Sequence, residues 1–374
     1  MPTTDLRAAT RLATDATVEA SRIAEGLHQA VWSTLGMGRA DGRTRGLTGF
    51  VYRQVRRVAR LAGTGTDRAL GLLPLRDAPE SERRAAFVAA LNGVMGDHLD
   101  ATGNPLATPM TLRHRGTVLP DAGPLDLPGA TGRAVLFAHG LCLDERCWHG
   151  DASGVDYAAM LEGEGYTPLH LRSNTGLPIA ENGRRLAALL DRLVARWPAS
   201  LERLDVIGHS MGGLVLRNAL HAARESGCDW PDRVRTAVFL GTPHHGAPLE
   251  RIGHGIDRLL GATRFSAPFA RIGKVRSAGI TDLRHGRVSD RPLPLPAGID
   301  CYAVAATLAS TPGRLADASV GDGLVPLASA LGQHARPEYT LAFTETRELR
   351  GVGHFDLLRH PDVARLLAQW LIAG

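Results

Sequence analysis

Lysine is almost missing: of 43 basic side chains, only Lys274 is a lysine. Cation chemistry therefore falls to arginine, whose planar guanidinium suits phosphate and carboxylate. GC-rich coding produces the same bias, so neither the arginine count nor the formal net charge of +5 names a ligand. Aromatic residues are scarce, at 5%, and no aromatic-interleaved basic motif appears, so no nucleic-acid partner is expected. No apolar run approaches the ~20 residues of a membrane-spanning helix. The 43 glycines follow no Gly-X-Y period, which excludes collagen. Asp5, Arg7, Arg11, Asp15 and Glu19 interrupt the stretch where a secretory signal would need an apolar run, so the expected compartment is the cytoplasm. Cysteine is limited to Cys142, Cys147, Cys228 and Cys301, without zinc-ligand spacing. Cys142 and Cys147 are close enough in sequence for a disulfide, but reduced thiols are the expectation in that compartment. No cofactor or metal is expected.

What remains is ordinary globular composition, 44% hydrophobic and 22% charged over 374 residues. That length suits two domains, or one large domain with an appendage. Residues 5–34 place Leu6, Leu12, Ala16, Ile23, Leu27 and Val31 near helical spacing. A second helical stretch is expected over 47–73, with Phe50, Val51, Val55, Val58 and Leu61 on one face. Arg53, Arg56, Arg57 and Arg60 lie on the other. Residues 39–68 hold eight arginines and two aspartates, so the rest of the chain is close to neutral. The favoured reading is a solvated face on a helix packed against its own protein. The alternative is peripheral contact of residues 47–73 with the inner face of a membrane. A third helix is expected over 80–99, with Ser81 as N-cap.

After Gly103 the texture changes. Residues 110–119 read as a strand or hairpin around Arg115-Gly116. Strands are then expected at 134–138, 167–171, 204–207, 234–240, 299–305 and 340–343. Helices are expected at 155–164, 181–197, 211–225 and 356–371. This alternation predicts an α/β fold, a mostly parallel sheet with helices on both faces. The expected division is an N-terminal helical extension, 1–103, and a catalytic domain, 104–374. Within the latter, residues 247–297 form a cap or lid insertion.

Gly208-His209-Ser210-Met211-Gly212 fits G-x-S-x-G between an apolar strand and a helix. A serine is a poor nucleophile without a base. A tight strand-to-helix turn lifts its hydroxyl toward one, and the helix N-terminus supplies N–H groups for an oxyanion. The chain order of such sites is Ser, acid, His. His354, in the Gly351–Phe355 loop, is the expected base, ahead of His334 and His360. Asp322, flanked by Gly321 and Gly323, is the expected acid, with Asp317 as runner-up. Backbone N–H groups of Leu141 and Met211 are the expected oxyanion hole. His244-His245 invite a metal reading, but packing under the site floor is favoured. Leu249, Ile252, Phe265 and Phe269 give the insertion an apolar face fit for an acyl chain. With His139, Trp148, Asn174 and His209 they are the substrate-pocket candidates.

These motifs carry a resemblance. His139-Gly140-Leu141-Cys142, Gly208–Gly213, Gly241–Pro248, Ser277–Arg284 and Gly321–Pro326 resemble the α/β-hydrolase superfamily. More narrowly, they resemble the bacterial lipase/esterase branch with a PGAP1-like (GPI inositol-deacylase-like) α/β domain. The resemblance implies a serine carboxylic-ester hydrolase with Ser210 as nucleophile, Asp322 as acid and His354 as base. Its substrate would be a small-molecule or lipid ester. The same triad would also serve an acyltransferase, a thioesterase or a polyester hydrolase, and a non-catalytic binding module is the remaining alternative. Calcium is not carried over, because no oxygen-ligand cluster stands near His354. An oligomer stays open.

Overall fold

The computed structural model describes residues 3–34, 53–54, 56–61, 64–65, 81–149, 155–248, 277–286, 293–311 and 321–372. The chain divides into two compact units, one of residues 1–80 with 99–107 and one of residues 81–98 with 108–374. The sequence suggested a boundary at 103/104; instead residues 81–98 group with the sheet. The physical reason is side-chain pairing with the sheet's loops, set out below.

In the first unit, helix α1 (Thr3–Thr34) buries Ala8 and Val18, and Arg11 donates to the Gly103 carbonyl. Residues 56–61 are helical. Among the described residues, no helix is long and apolar enough to cross a membrane.

The second unit is built on an eight-stranded sheet. Its strands are β1 (Thr111–His114), β2 (Thr117–Val118), β3 (Arg133–Ala138), β4 (Thr167–Arg172), β5 (Arg203–His209), β6 (Val234–Leu240), β7 (Asp300–Thr307) and β8 (Glu345–Arg350). They run in the order β2-β1-β4-β3-β5-β6-β7-β8. β1 is antiparallel to both neighbours, and every pairing from β4 to β8 is parallel. The β1–β2 hairpin turns at Arg115 (φ 47°) and Gly116 (φ 79°), two left-handed residues that match the twist of the flanking strands.

Parallel strands joined by helices are covered on both faces, which is why β3 reads as a continuous apolar run from Ala134 to Ala138. Side chains alternate between the faces. Leu136 and Ala138 enter one core with α4 (Ile179–Val194) and α5 (Met211–Glu225). Val135 and Phe137 enter the other with α3 (Tyr157–Gly163) and α8 (Pro361–Leu371). α2 (Glu82–Ala101), α6 (Ala278–His285) and the single turn α7 (Leu327–Ala330) complete the described α-helices of the second unit and its boundary.

Two expected elements fall elsewhere. The last strand is Glu345–Arg350, not 340–343. It is an edge strand paired only with β7, so it needs no apolar run and carries charge instead. The closing helix is split: Asp356–Leu358 is one 3-10 turn, and α8 starts afresh at Pro361. His360 caps it, its ring accepting from the Asp362 N–H.

Candidate active site

Strand β5 passes directly into α5 at Ser210. The backbone there has φ 54° and ψ −126°, a conformation rare for a residue with a side chain. Tight packing enforces it. A methyl at Gly208 would lie 2.6 Å from the Gly213 Cα, so only glycine lets strand and helix approach this closely. The Ser210 N–H is tied to the Leu240 carbonyl at 2.8 Å. Met211 is the first helical residue, where N–H groups lack intrahelical acceptors and the dipole end is positive. The 139–141 loop runs beside this turn: a methyl at Gly140 would lie 3.0 Å from the Ser210 Cβ. The loop at Gly140, which continues into Leu141, thus lies against the serine.

His354 and Asp322 meet at the ends of the loops after β8 and β7. The imidazole Nδ1 lies 2.7 Å from Asp322 Oδ2, and both residues are buried. Asp322 Oδ1 accepts from the N–H groups of Leu324 and Val325, and the His354 N–H donates to the Asp322 carbonyl. The carboxylate is therefore clamped from its own loop, and its second oxygen is aimed at the ring. A methyl at Gly241, at the end of β6, would lie 3.2 Å from His354 Nδ1, so that strand end borders the pair.

His209 ties the elbow to His354. Its Nε2 donates to the His354 carbonyl at 3.0 Å, and the two rings lie 4.6 Å apart. Burial, and then the nearby His354, hold its pKa well below the ordinary value, so it is neutral. His139 is neutral for the same first reason, burial. Its Nε2 accepts from the Ser173 N–H, which leaves Nδ1 to donate to the Gly140 carbonyl. Both histidines hold backbone of the site in place rather than facing outward. Trp148 and Asn174 also depart from the expected pocket role. Trp148 is buried against Phe137 in the core, and Asn174 donates to the Gly96 carbonyl while accepting from the Gly176 N–H. Leu249, Ile252, Phe265 and Phe269 lie outside the described residues, as does Asp317.

Three sets of contacts could not be read from the sequence, although the segments that make them could. Helix α2 backs the 139–142 loop: a methyl at Gly93 would lie 2.2 Å from Cys142 Sγ, and Cys142 itself has φ 61°. The Cys142 N–H donates to Thr175 Oγ1. The start of α6 is pinned to the same helix, because Ser277 Oγ donates to the Gly93 carbonyl and the Ala278 N–H to Asp97. Beneath the floor, buried Arg217 donates to His244 Nδ1 and to the Leu293 carbonyl. Burial lowers the Arg217 pKa to about 10 and holds His244 well below its ordinary value. His245 bonds the Gly332 carbonyl. The two histidines are thus engaged by protein groups, and no metal-ligand cluster occurs among the described residues. All four cysteines are free thiols; burial pushes that of Cys142 up to about 12.

This strand order, with Ser210 at the turn after β5 and Asp322 and His354 after β7 and β8, is that of the α/β-hydrolase fold. Residues 188–285, which contain the elbow, match the family described as PGAP1-like alpha/beta domain. Among solved structures, the mature lipase BlEst2 of Bacillus licheniformis is 19% identical, over 67% of this chain and 94% of that one, with a TM-score of 0.43. The RedJ thioesterase from the prodiginine pathway of Streptomyces coelicolor is 19% identical over 68% and 95%, at 0.38. The Staphylococcus hyicus lipase is 13% identical over 66% and 93%, also at 0.38. Among curated proteins, none matches the chain in sequence.

Proposed function

We propose that this chain is a serine carboxylic-ester hydrolase acting on apolar or lipid-like acyl esters through Ser210, His354 and Asp322. The observation that carries this reading is the buried 2.7 Å His354–Asp322 pair, tied through His209 to the elbow that holds Ser210. Asp322 holds the proton on His354 Nδ1, leaving Nε2 free as the base. His354 takes the hydroxyl proton as Ser210 Oγ attacks the ester carbonyl. The N–H groups of Leu141 and Met211 stabilise the oxyanion. Collapse of the tetrahedral intermediate breaks the ester C–O bond, and His354 returns the proton to the leaving alcohol. Water, deprotonated by His354, then cleaves the acyl-serine.

A panel of p-nitrophenyl esters of rising acyl length tests this, with Ser210→Ala as the inert control. Hydrolysis by the unaltered chain and none by the variant is the expected result. Equal rates in both would contradict it. The same triad serves acyl transfer, so added alcohols or thiols are included: an acyl product on the acceptor, rather than free acid, would reassign the chain as a transferase. The expected alternative for residues 47–73, peripheral contact with a membrane, is consistent with a lipid-ester substrate.

A further inference from the structure

Within the N-terminal unit a cavity of about 760 Å³ is ringed by Arg22, Arg53, Arg56, Arg57 and Arg60, with Glu25 and Leu61. Five guanidiniums thus share one hollow with a single carboxylate. That carboxylate is already engaged, since Arg56 Nη1 donates to Glu25 Oε2 at 2.6 Å and both side chains are mostly buried. Arg53, Arg57 and Arg60 have no carboxylate within ion-pair reach among the described residues. Like charges gathered around a cavity repel one another, and among the described lining residues Glu25, paired with Arg56, does not offset Arg53, Arg57 and Arg60. An anion from outside would. Guanidinium groups favour phosphate, which they bind in bidentate pairs.

The surface beside the cavity indicates where that phosphate comes from. Val58 is 63% exposed and Leu61 64% exposed, both on the helical turns that carry Arg57 and Arg60. These residues were expected to form a face packed on the protein; instead they stand in water between arginines. Apolar side chains flanked by arginines suit the boundary between headgroups and acyl chains. A soluble phosphate would use the arginines and leave Val58 and Leu61 without a partner.

We propose that this cavity binds the phosphate of anionic phospholipids at a bilayer surface, with Val58 and Leu61 entering the acyl boundary. The proposal rests on the membrane reading given above and narrows it to one pocket.

Co-sedimentation of the full chain with phosphatidylcholine vesicles, with and without phosphatidylglycerol, tests it without any turnover. The chain is expected to pellet only with phosphatidylglycerol, and to be released by high salt. The Arg53→Gln, Arg57→Gln, Arg60→Gln triple variant is expected to bind more than tenfold more weakly. Val58→Ser with Leu61→Ser is expected to weaken binding as well. Soluble tripolyphosphate, added to the unaltered chain, is expected to compete for the pocket, a readout that does not depend on how a variant folds. If the unaltered chain stays in the supernatant, both the lipid pocket and the membrane reading fail. If the triple variant pellets as well as the unaltered chain, the pocket fails and the membrane reading stands. If the Val58/Leu61 variant pellets as well as the unaltered chain, entry into the acyl boundary is overturned; if tripolyphosphate binds but the unaltered chain does not pellet with phosphatidylglycerol, the ligand is a soluble phosphate instead.

Discussion

Ser210 holds its side chain in a backbone conformation that favours glycine, at a cost of about 1–3 kcal/mol. That strain is useful only if the hydroxyl is. Ser210→Gly should therefore relieve it, while Ser210→Ala keeps it. The glycine variant is expected to be the more stable of the two by about 1 kcal/mol, after its own entropic cost, and both are expected to be inactive. Chemical denaturation of the pair measures the difference. A glycine variant less stable than the alanine one would mean the elbow is not strained. At this scale the sequence was most informative. Ser210, Asp322 and His354 each sit in a short glycine-flanked segment whose local pattern marks it. His209 stands beside Ser210 and His139 in the 139–142 motif, but their roles as backbone ties depend on His354 and Ser173, which are distant in sequence.

Helix α2 is the element whose role the sequence did not disclose. Its periodicity identified a helix, yet nothing local tells that Gly93 faces Cys142, 49 positions further along the chain. The consequence is testable. Gly93→Ala places a methyl against Cys142 Sγ and pushes the loop that carries Leu141. Losing one oxyanion donor outright costs 10²–10³ in kcat, so a displaced donor is expected to lower kcat by about tenfold or more, with KM less affected. Cys142→Gly in the same chain removes the sulfur and suits the φ of 61°, and is expected to recover much of the loss. A parallel fall in stability alone, with kcat intact, would place α2 outside the site's support. The edge strand β8 was misread for a related reason. Leu341 and Phe343 offered the only apolar alternation nearby, whereas an edge strand facing solvent is free to be charged.

For the whole molecule, buried neutral histidines set the response to acid. His170 is the best defined: burial, with the neighbouring His149 adding to it, lowers its pKa from 6.5 to about 4. His139, His209 and His244 are shifted the same way, first by burial. A histidine that resists protonation in the folded chain but accepts it when unfolded favours unfolding as pH falls below 6.5. His170 alone contributes a loss of about 2 kcal/mol between pH 7 and pH 5. Thermal unfolding followed across that range is expected to show Tm falling with pH, and less steeply in His170→Gln. A flat profile would mean these rings are protonated in place. The division into units was only partly legible, because residues 81–98 belong with the sheet through contacts spread over the chain.

The central claim is that Ser210 forms a covalent acyl intermediate. Intact-mass and peptide mass spectrometry after rapid quenching with a slowly deacylating p-nitrophenyl ester tests it most directly. The expected result is one acyl group added per chain, on the peptide containing Ser210, absent from Ser210→Ala. Turnover by Ser210→Ala at the unaltered rate, or an adduct on another residue that forms at the rate of turnover, would contradict the account.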